Sequence, residues 1–328
     1  MTTTMPSYMR YATPALLLSM QAIGQVKIAR DGDRLTVDIQ GKPFTALYIA
    51  GAETTKPYFH PVRAASGTIV TRRYPMETVE GELHNEKHQR GLWFSHGDVN
   101  GFDFWDNEAS YTTPNRGFIV LDQVIGLASG GKTGSIEASF NWVDPKGKAL
   151  IKETRKMLFY SDPALRTIDF EIALRAIEKV TFNDTKEGTF GMRLAAGLEA
   201  PTPKAPALPK RTGTMVNSSG QEGEPNCWGK RANWVDMFGE VEGEKLGVAI
   251  FDHPGNPGHP TYWHVRGYGL FAANIFGARA FERNPELNGS RTLEPGQTLT
   301  FRYRVVVHPG DYRTANIATM YDTYAAAK

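Results

Sequence analysis

Cysteine is nearly absent: Cys227 is the single one in 328 residues. No disulfide within the chain and no cysteine-based zinc site can form, and the redox compartment stays open, because a chain without thiol pairs suits either side of a membrane. Charge of one sign is lacking as well. The 37 Lys and Arg against 35 Asp and Glu leave a formal +2, spread along the whole chain. That balance offers no electrostatic footprint for nucleic acid. Beyond residue 24 no stretch approaches the ~18 apolar residues of a membrane-spanning helix, so a soluble mature chain is expected, with neither a membrane nor a nucleic acid as partner. No Gly-rich phosphate loop opens a helix and no Gly-x-Ser-x-Gly elbow occurs, which leaves nucleotide use and serine-hydrolase chemistry without a motif. Helix signals are scarce; the best is the last stretch, ANIATMYDTYAAAK.

What is present reads as strand after strand. The 33 glycines and 11% aromatic residues suit strands joined by tight turns. VKIARDGDRLTVDIQGKPFTALYIAG alternates apolar and polar positions between Asp-Gly and Gly-Lys turns. Ile168, Phe170, Ile172 and Leu174 alternate with Thr167, Asp169 and Glu171, the signature of a half-buried strand. TLTFRYRVVVHPGD follows a Leu293-Glu294-Pro295-Gly296 turn. Many short strands with regular turns predict an all-β, antiparallel β-sandwich or barrel. The proline-rich segment Ala200 to Lys210 cannot sustain a ladder and reads as a surface excursion inside one domain, residues 25–328. At the N-terminus, Arg10 precedes the apolar stretch Ala12 to Gly24, with Ala22 and Gly24 where a signal peptidase takes small residues. Residues 1–24 are therefore expected to be a signal peptide and the protein periplasmic or secreted; a buried first element would instead leave it cytoplasmic.

The chemistry concentrates in two clusters. The first runs KPYFHPVRAASGTIVTRRYP and then HNEKHQRGLWFSHGDVNGFDFW, carrying His60, Arg63, His88, Arg90, His96, Asp98, Asn100 and Trp105. Polar groups beside indole planes are what a sugar asks for, since its hydroxyls need donors and acceptors while its C–H face packs on an aromatic ring. The second runs FDHPGNPGHPTYWHVRGYGLFAANIFG, where a proline- and glycine-fixed loop leads to Trp263, His264 and Arg266; the spacing places His264 and Arg266 on one face of a strand. Between the clusters, KEGTFGMRLA carries Glu187 and Arg193, and WGKRANWVDMFG repeats the indole, arginine and carboxylate mixture. The plainer reading makes the tryptophans core and the His and Arg side chains partners of turn backbone or ion pairs. His84 and His88, four apart with His96 following, would suit a metal on a helix, but their flanking residues read as loop. No metal and no cofactor are expected.

These runs carry a family resemblance. His60-Pro61 with Arg63, His88 with Arg90-Gly91-Leu92-Trp93-Phe94, His96-Gly97-Asp98-Val99-Asn100-Gly101 with Trp105, Lys186-Glu187-Gly188 with Arg193, Trp228-Gly229-Lys230 and the DHPGNPGHPTYWHVR run together resemble the bacterial family labelled PmoA, from about Lys56 to the C-terminus. The label borrows the name of a methane-oxygenase subunit that is an integral membrane protein, a description this sequence does not fit. Where the family pattern leads one to expect a His-rich run, this chain has Asn85-Glu86-Lys87-His88-Gln89. The resemblance further implies a galactose-mutarotase-like supersandwich, a fold whose members mostly bind or transform sugars. The expected function is acid–base chemistry on a sugar or oxidised sugar, of epimerase, lyase or hydrolase type, with a non-catalytic glycan-binding module or a metal-dependent oxygenase as alternatives. Imidazole titrates near neutrality, so His96 and His264 are the expected acid–base pair, with Glu187 as base or orienting carboxylate. His60, Arg63, His88, Arg90, Asp98, Asn100, Trp105, Arg193, Trp263 and Arg266 are expected to bind a small-molecule or glycan substrate in one concave pocket.

Overall fold

Period-two burial marks the first hairpin and the long strands between residues 133 and 176, while the central strands are buried on both faces, in the structure, a computed structural model that describes residues 1–2, 25–203 and 205–327. The stretch Ala12 to Gly24, expected to be a signal-peptide core, lies outside the described residues. In chain order the strands are β1 (Val26–Asp31), β2 (Arg34–Ile39), β3 (Lys42–Tyr48), β4 (Tyr58–Phe59), β5 (Leu92–His96), β6 (Phe118–Ala128), β7 (Thr133–Val143), β8 (Ala149–Tyr160) and β9 (Arg166–Ala176). They continue with β10 (Val180–Phe182), β11 (Gly188–Arg193), β12 (Thr214–Asn217), β13 (Trp234–Val241), β14 (Glu244–Asp252), β15 (Tyr262–Val265), β16 (Leu270–Asn274), β17 (Arg291–Leu293) and β18 (Thr298–Pro309).

Two eight-stranded sheets result. The first has the order β1-β2-β3-β4-β5-β11-β16-β15 and the second β12-β13-β14-β18-β9-β8-β7-β6, while β10 and β17 form a small ribbon beside them. Neighbouring strands pair antiparallel throughout, as in β8 with β9 and β18 with β9. The chain is thus an all-β antiparallel sandwich. Between the sheets lies one continuous apolar core, to which Phe44, Phe59, Phe94 and Phe190 contribute from the first sheet and Trp142, Phe170, Ile172 and Phe301 from the second. Each such side chain, fully removed from water, stabilises by ~1.5–3 kcal/mol, and truncating one, as in Phe94→Ala, costs about 3–5 kcal/mol.

The two outer faces are covered differently, and this decides where a site can be. The second sheet's outer face lies under the C-terminal helix Ile317–Ala325, whose Ile317, Tyr321 and Tyr324 pack on Trp234, Phe251 and Val306. That helix is where the terminal Ala, Met and Tyr spacing puts it. The first sheet's outer face is covered by the irregular segments between strands. These carry His60, Arg90, Trp105 and Arg266, while Trp93, Arg193 and His264 stand on the strands themselves. Most of the segment from Ala200 to Lys210 is exposed.

Candidate functional site

Register places six residues in one row across the outer face of the first sheet. Tyr48 pairs with Tyr58, Tyr58 with Trp93, Trp93 with Gly191, Gly191 with Ala272, and Ala272 with His264. Their strand neighbours Leu47, Phe59, Leu92, Met192, Phe271 and Val265 belong to the sandwich core, so by alternation this row faces away from it. The row begins with stacked tyrosine rings, Tyr48 on Tyr58 at 4.9 Å. It passes the Trp93 indole and crosses two small residues to an imidazole. Trp105, on the segment after β5, lies over the bare stretch: a Cβ at Gly191 would stand 2.8 Å from the rings of both Trp105 and Trp93. A parallel row holds the cations. Arg193 pairs with Leu270, and the Arg266 backbone N–H donates to the Leu270 carbonyl.

His264 sits at the floor of a mouth rimmed by Lys186, Glu187, Trp228 and Arg266. It is buried, with Nδ1 2.9 Å from the Lys186 carbonyl. A carbonyl only accepts, so Nδ1 carries the proton and Nε2 keeps its lone pair. Burial, with Lys186 and Arg266 nearby, lowers its pKa to about 4 against the pull of Glu187. The group is a neutral base at pH 7. The rim is open: Lys186 and Glu187, an ion pair, expose 46% and 32% of their side chains, and Arg266, 3.1 Å from Glu224, exposes 38%. Tyr268, on the turn between β15 and β16, lays its ring against Arg193 at 4.6 Å and Arg266 at 5.8 Å.

Several buried polar atoms on this side have no hydrogen-bond partner: both ring nitrogens of His60, Nε1 of Trp93, Trp105 and Trp228, Oγ of Ser95, and Nε of Arg193. Buried polar groups are ordinarily satisfied, so such a concentration marks a surface that lacks its polar complement. Burial, then Arg63, Arg73 and Arg90, lowers the His60 pKa to about 4. Beneath Trp105, the fully buried Lys56 donates to the Trp105 carbonyl at 2.8 Å and to Asn107 Oδ1 at 2.6 Å, and burial lowers its pKa to about 7. Arg90 covers Tyr58 and is tied to the buried Glu108; burial opposes its charge, but Glu108 holds its pKa above the usual value.

The expected residues are therefore only partly assembled. The outer side gathers His60, Arg90, Trp105, Arg193, His264 and Arg266, with Glu187 at the rim. His96 is not among them. Alternation from Leu92 and Phe94 turns it into the core, against Phe182 and Phe276. Its Nε2 faces the Asn183 carbonyl at 2.8 Å, and burial lowers its pKa to about 4. The expectation that His96 and His264 share a pocket is not met, because they occupy opposite faces of one sheet. Trp263 likewise points inward and spends Nε1 on the Ala232 carbonyl. Asp98 accepts from the Gly101 N–H and Asn183, and Asn100 braces β10 through the Lys179 carbonyl and the Thr181 N–H. Arg63 closes a turn onto the Gly67 carbonyl, and His88 lies buried 2.8 Å from Asp106. Sequence reasoning passed over Tyr48, Tyr58 and Tyr268. The parity of Leu92 and Phe94 would have turned Trp93 outward, and a tyrosine between Gly267 and Gly269 marks an aromatic on a turn. Among the described residues, no group of three His, Cys, Asp or Glu side chains is placed to hold a metal ion. A cavity of about 560 Å³ lies past the end of β11 and is lined by Thr71, Arg73, Glu82 and Leu208 rather than by this row.

Residues 34–322 match one family model, described as a family of unknown function, DUF6807. The chain belongs to that family. The PmoA label drawn from the motifs is no part of that description. No curated protein matches. Among solved structures, a heparan sulfate lyase HepC mutant from Pedobacter heparinus aligns at 8% identity over 87% of this chain and 37% of its own, with a TM-score of 0.40. The galactose 1-epimerase from Lactobacillus acidophilus NCFM aligns at 7% identity over 87% of this chain and 98% of its own, with a TM-score of 0.36. The GH36 alpha-galactosidase AgaA from Geobacillus stearothermophilus aligns at 13% identity over 88% of this chain and 41% of its own, with a TM-score of 0.31. The chain thus spans well under half of the lyase and the galactosidase. Likeness of this order says nothing about activity, which has to be read from the residues of the site. Among the described residues no helix is long and apolar enough to cross a membrane.

Proposed function

We propose that the outer face of the first sheet binds a sugar and that the chain acts on it by proton transfer, with His264 as base and Glu187 as its partner. The observation that carries this is the mouth at the His264 end of the row, where the half-buried rings of Trp228 and Tyr268 and the exposed charges of Lys186, Glu187 and Arg266 surround an imidazole with a free Nε2. The aromatic planes suit the C–H face of a pyranose, and the unpartnered groups suit its hydroxyls. His264 starts neutral, so it takes a proton first; Glu187 is close enough to shift the imidazole electrostatically and steadies the cation that forms. Lys186 and Arg266 supply positive charge where negative charge develops on oxygen. Because His96 faces the core, it has no part in this scheme. Export is proposed alongside, on the N-terminal pattern, and cell fractionation tests it.

The test is a panel of mono- and oligosaccharides followed by calorimetry and by NMR for turnover. Binding with turnover is expected, and His264→Ala and Glu187→Gln should each lower kcat by roughly 10²–10⁴-fold with an unchanged circular dichroism spectrum. Binding without turnover by the wild type would make the chain a glycan-binding module. If no sugar binds, the reading fails.

A further inference from the structure

The cationic row holds more positive charge than its surroundings neutralise. Arg193 is fully buried, and its hydrogen bonds go to neutral amides: Gln89 Oε1 at 2.5 Å and Asn85 Oδ1 at 3.3 Å. The carboxylate near it, Glu199, stands 3.9 Å away and is already bound by Arg211 at 2.7 Å. Arg72, also buried, spends its guanidinium mainly on the backbone carbonyls of Leu83, Asn85, Glu86 and Gln89. Two further acids lie nearby: Glu86 is exposed to solvent and 3.7 Å from His88, and Glu82 gives both oxygens to the N–H groups of Arg73 and Tyr74. Three buried guanidinium groups therefore share one buried carboxylate. Burying a cation without a partner is costly, and Arg193 still has an Nε–H without an acceptor. What lies over it is the ring of Tyr268, partly exposed on a turn between two glycines, with Arg266 on its other flank.

We infer that Arg193 is the anchor for a carboxylate, reached when Tyr268 moves aside, and that the sugar taken by this face is an acidic one, a uronic or aldonic acid. The inference rests on the sugar-binding reading above and names its substrate class. An anion at this point neutralises the excess charge and takes the free Nε–H. The sugar ring then extends along the outer face toward His264, since Arg193 pairs with Leu270 and Ala272, two residues on, pairs with His264.

The experiment is calorimetry of the full chain with glucuronate and galacturonate, their methyl esters, and the parent hexoses. A charge-assisted hydrogen bond predicts that the acids bind about ten- to a hundredfold more tightly than ester or hexose. Arg193→Gln should bring that ratio close to one while hexose affinity persists. Should that variant not fold, Arg193→Lys keeps the charge without the fork and should lower the ratio several-fold. Equal binding of acid, ester and hexose by the wild type overturns the carboxylate anchor and leaves the sugar reading standing, as does a folded variant that keeps the full preference. No binding of any sugar overturns both.

Discussion

Replacing Gly191 by alanine tests whether the floor of the outer face has to be bare. A Cβ there would meet Trp105 and Trp93 ring atoms at 2.8 Å, where ordinary contact begins near 3.4 Å. Each indole would have to retreat by roughly 0.6 Å, the difference of those two distances, or tilt. Neither has room. Trp105 is held from beneath through its backbone carbonyl by Lys56, and Trp93 lies between Tyr58 and Gly191 in the row. Overpacking of this kind costs ~1–3 kcal/mol, and alanine recovers about 0.4–1 kcal/mol by restricting the unfolded chain. The net loss is on the order of 0–2.6 kcal/mol, or up to ~5 °C in Tm at about 2 °C per kcal/mol for a chain of this length. Differential scanning calorimetry reads the first number, and tryptophan emission reads the displacement of the two indoles. Affinity for a verified sugar should fall as well. A variant that keeps both its Tm and its emission spectrum would refute the claim that these rings close on a bare glycine.

His264→Ala should lower turnover with little change in Tm, whereas His96→Ala, which empties a site between Phe182 and Phe276, should lower Tm by several degrees and leave sugar affinity in place; thermal melts and titrations on both variants decide. His60, His96 and His264 all have folded pKa values lowered to about 4 from 6.5. The unfolded chain therefore takes up their protons first, and stability present above pH 6.5 is lost as pH falls toward 4, at up to about 1.4 kcal/mol per pH unit for each imidazole. His308, whose pKa Asp236 raises despite burial, works in the opposite sense. Urea titrations from pH 7.5 to 4.5 check the slope, and His60→Gln should reduce it. Lys56, lowered to about 7 from 10.5, leaves the unfolded state with the extra proton between those values, so stability should rise with pH across that window and Lys56→Met should flatten the rise.

The fold was legible because burial repeats every second residue along the long strands of the second sheet, and Ile168 to Leu174 display it without interruption. The site was only half legible, and the reason is the same periodicity. Composition finds clusters of His, Arg and Trp but does not say which face of a strand each one takes. In GLWFSH, the core residues Leu92 and Phe94 fix the parity, so Trp93 turns out and His96 turns in; in TYWHVR, Trp263 and Val265 fix it the other way, so His264 turns out and Trp263 in. The two histidines looked alike because each adjoins a tryptophan-bearing strand and a fixed loop, yet one lies three residues past its tryptophan and the other one residue past. Both offsets are odd, so each histidine faces away from its own tryptophan. What separates them is that the two tryptophans already face opposite sides of the sheet. Which side Trp93 and Trp263 take is set by the apolar residues alternating with them: Leu92 and Phe94 claim the core in one strand, while Val265 shares it with Trp263 in the other. A polar residue on a sandwich strand is thus assigned by counting from its apolar neighbours, and clusters that ignore the count combine residues from both faces. By that count, moving the imidazole of β5 from position 96 to 95, as Ser95→His with His96→Ser, should place it beside Trp93 on the outer face. Position 95 is as buried as position 96, so the readout is the neighbouring indole: an imidazole beside Trp93 should quench tryptophan emission, and an emission spectrum unchanged from the parent's would show that parity does not control the face.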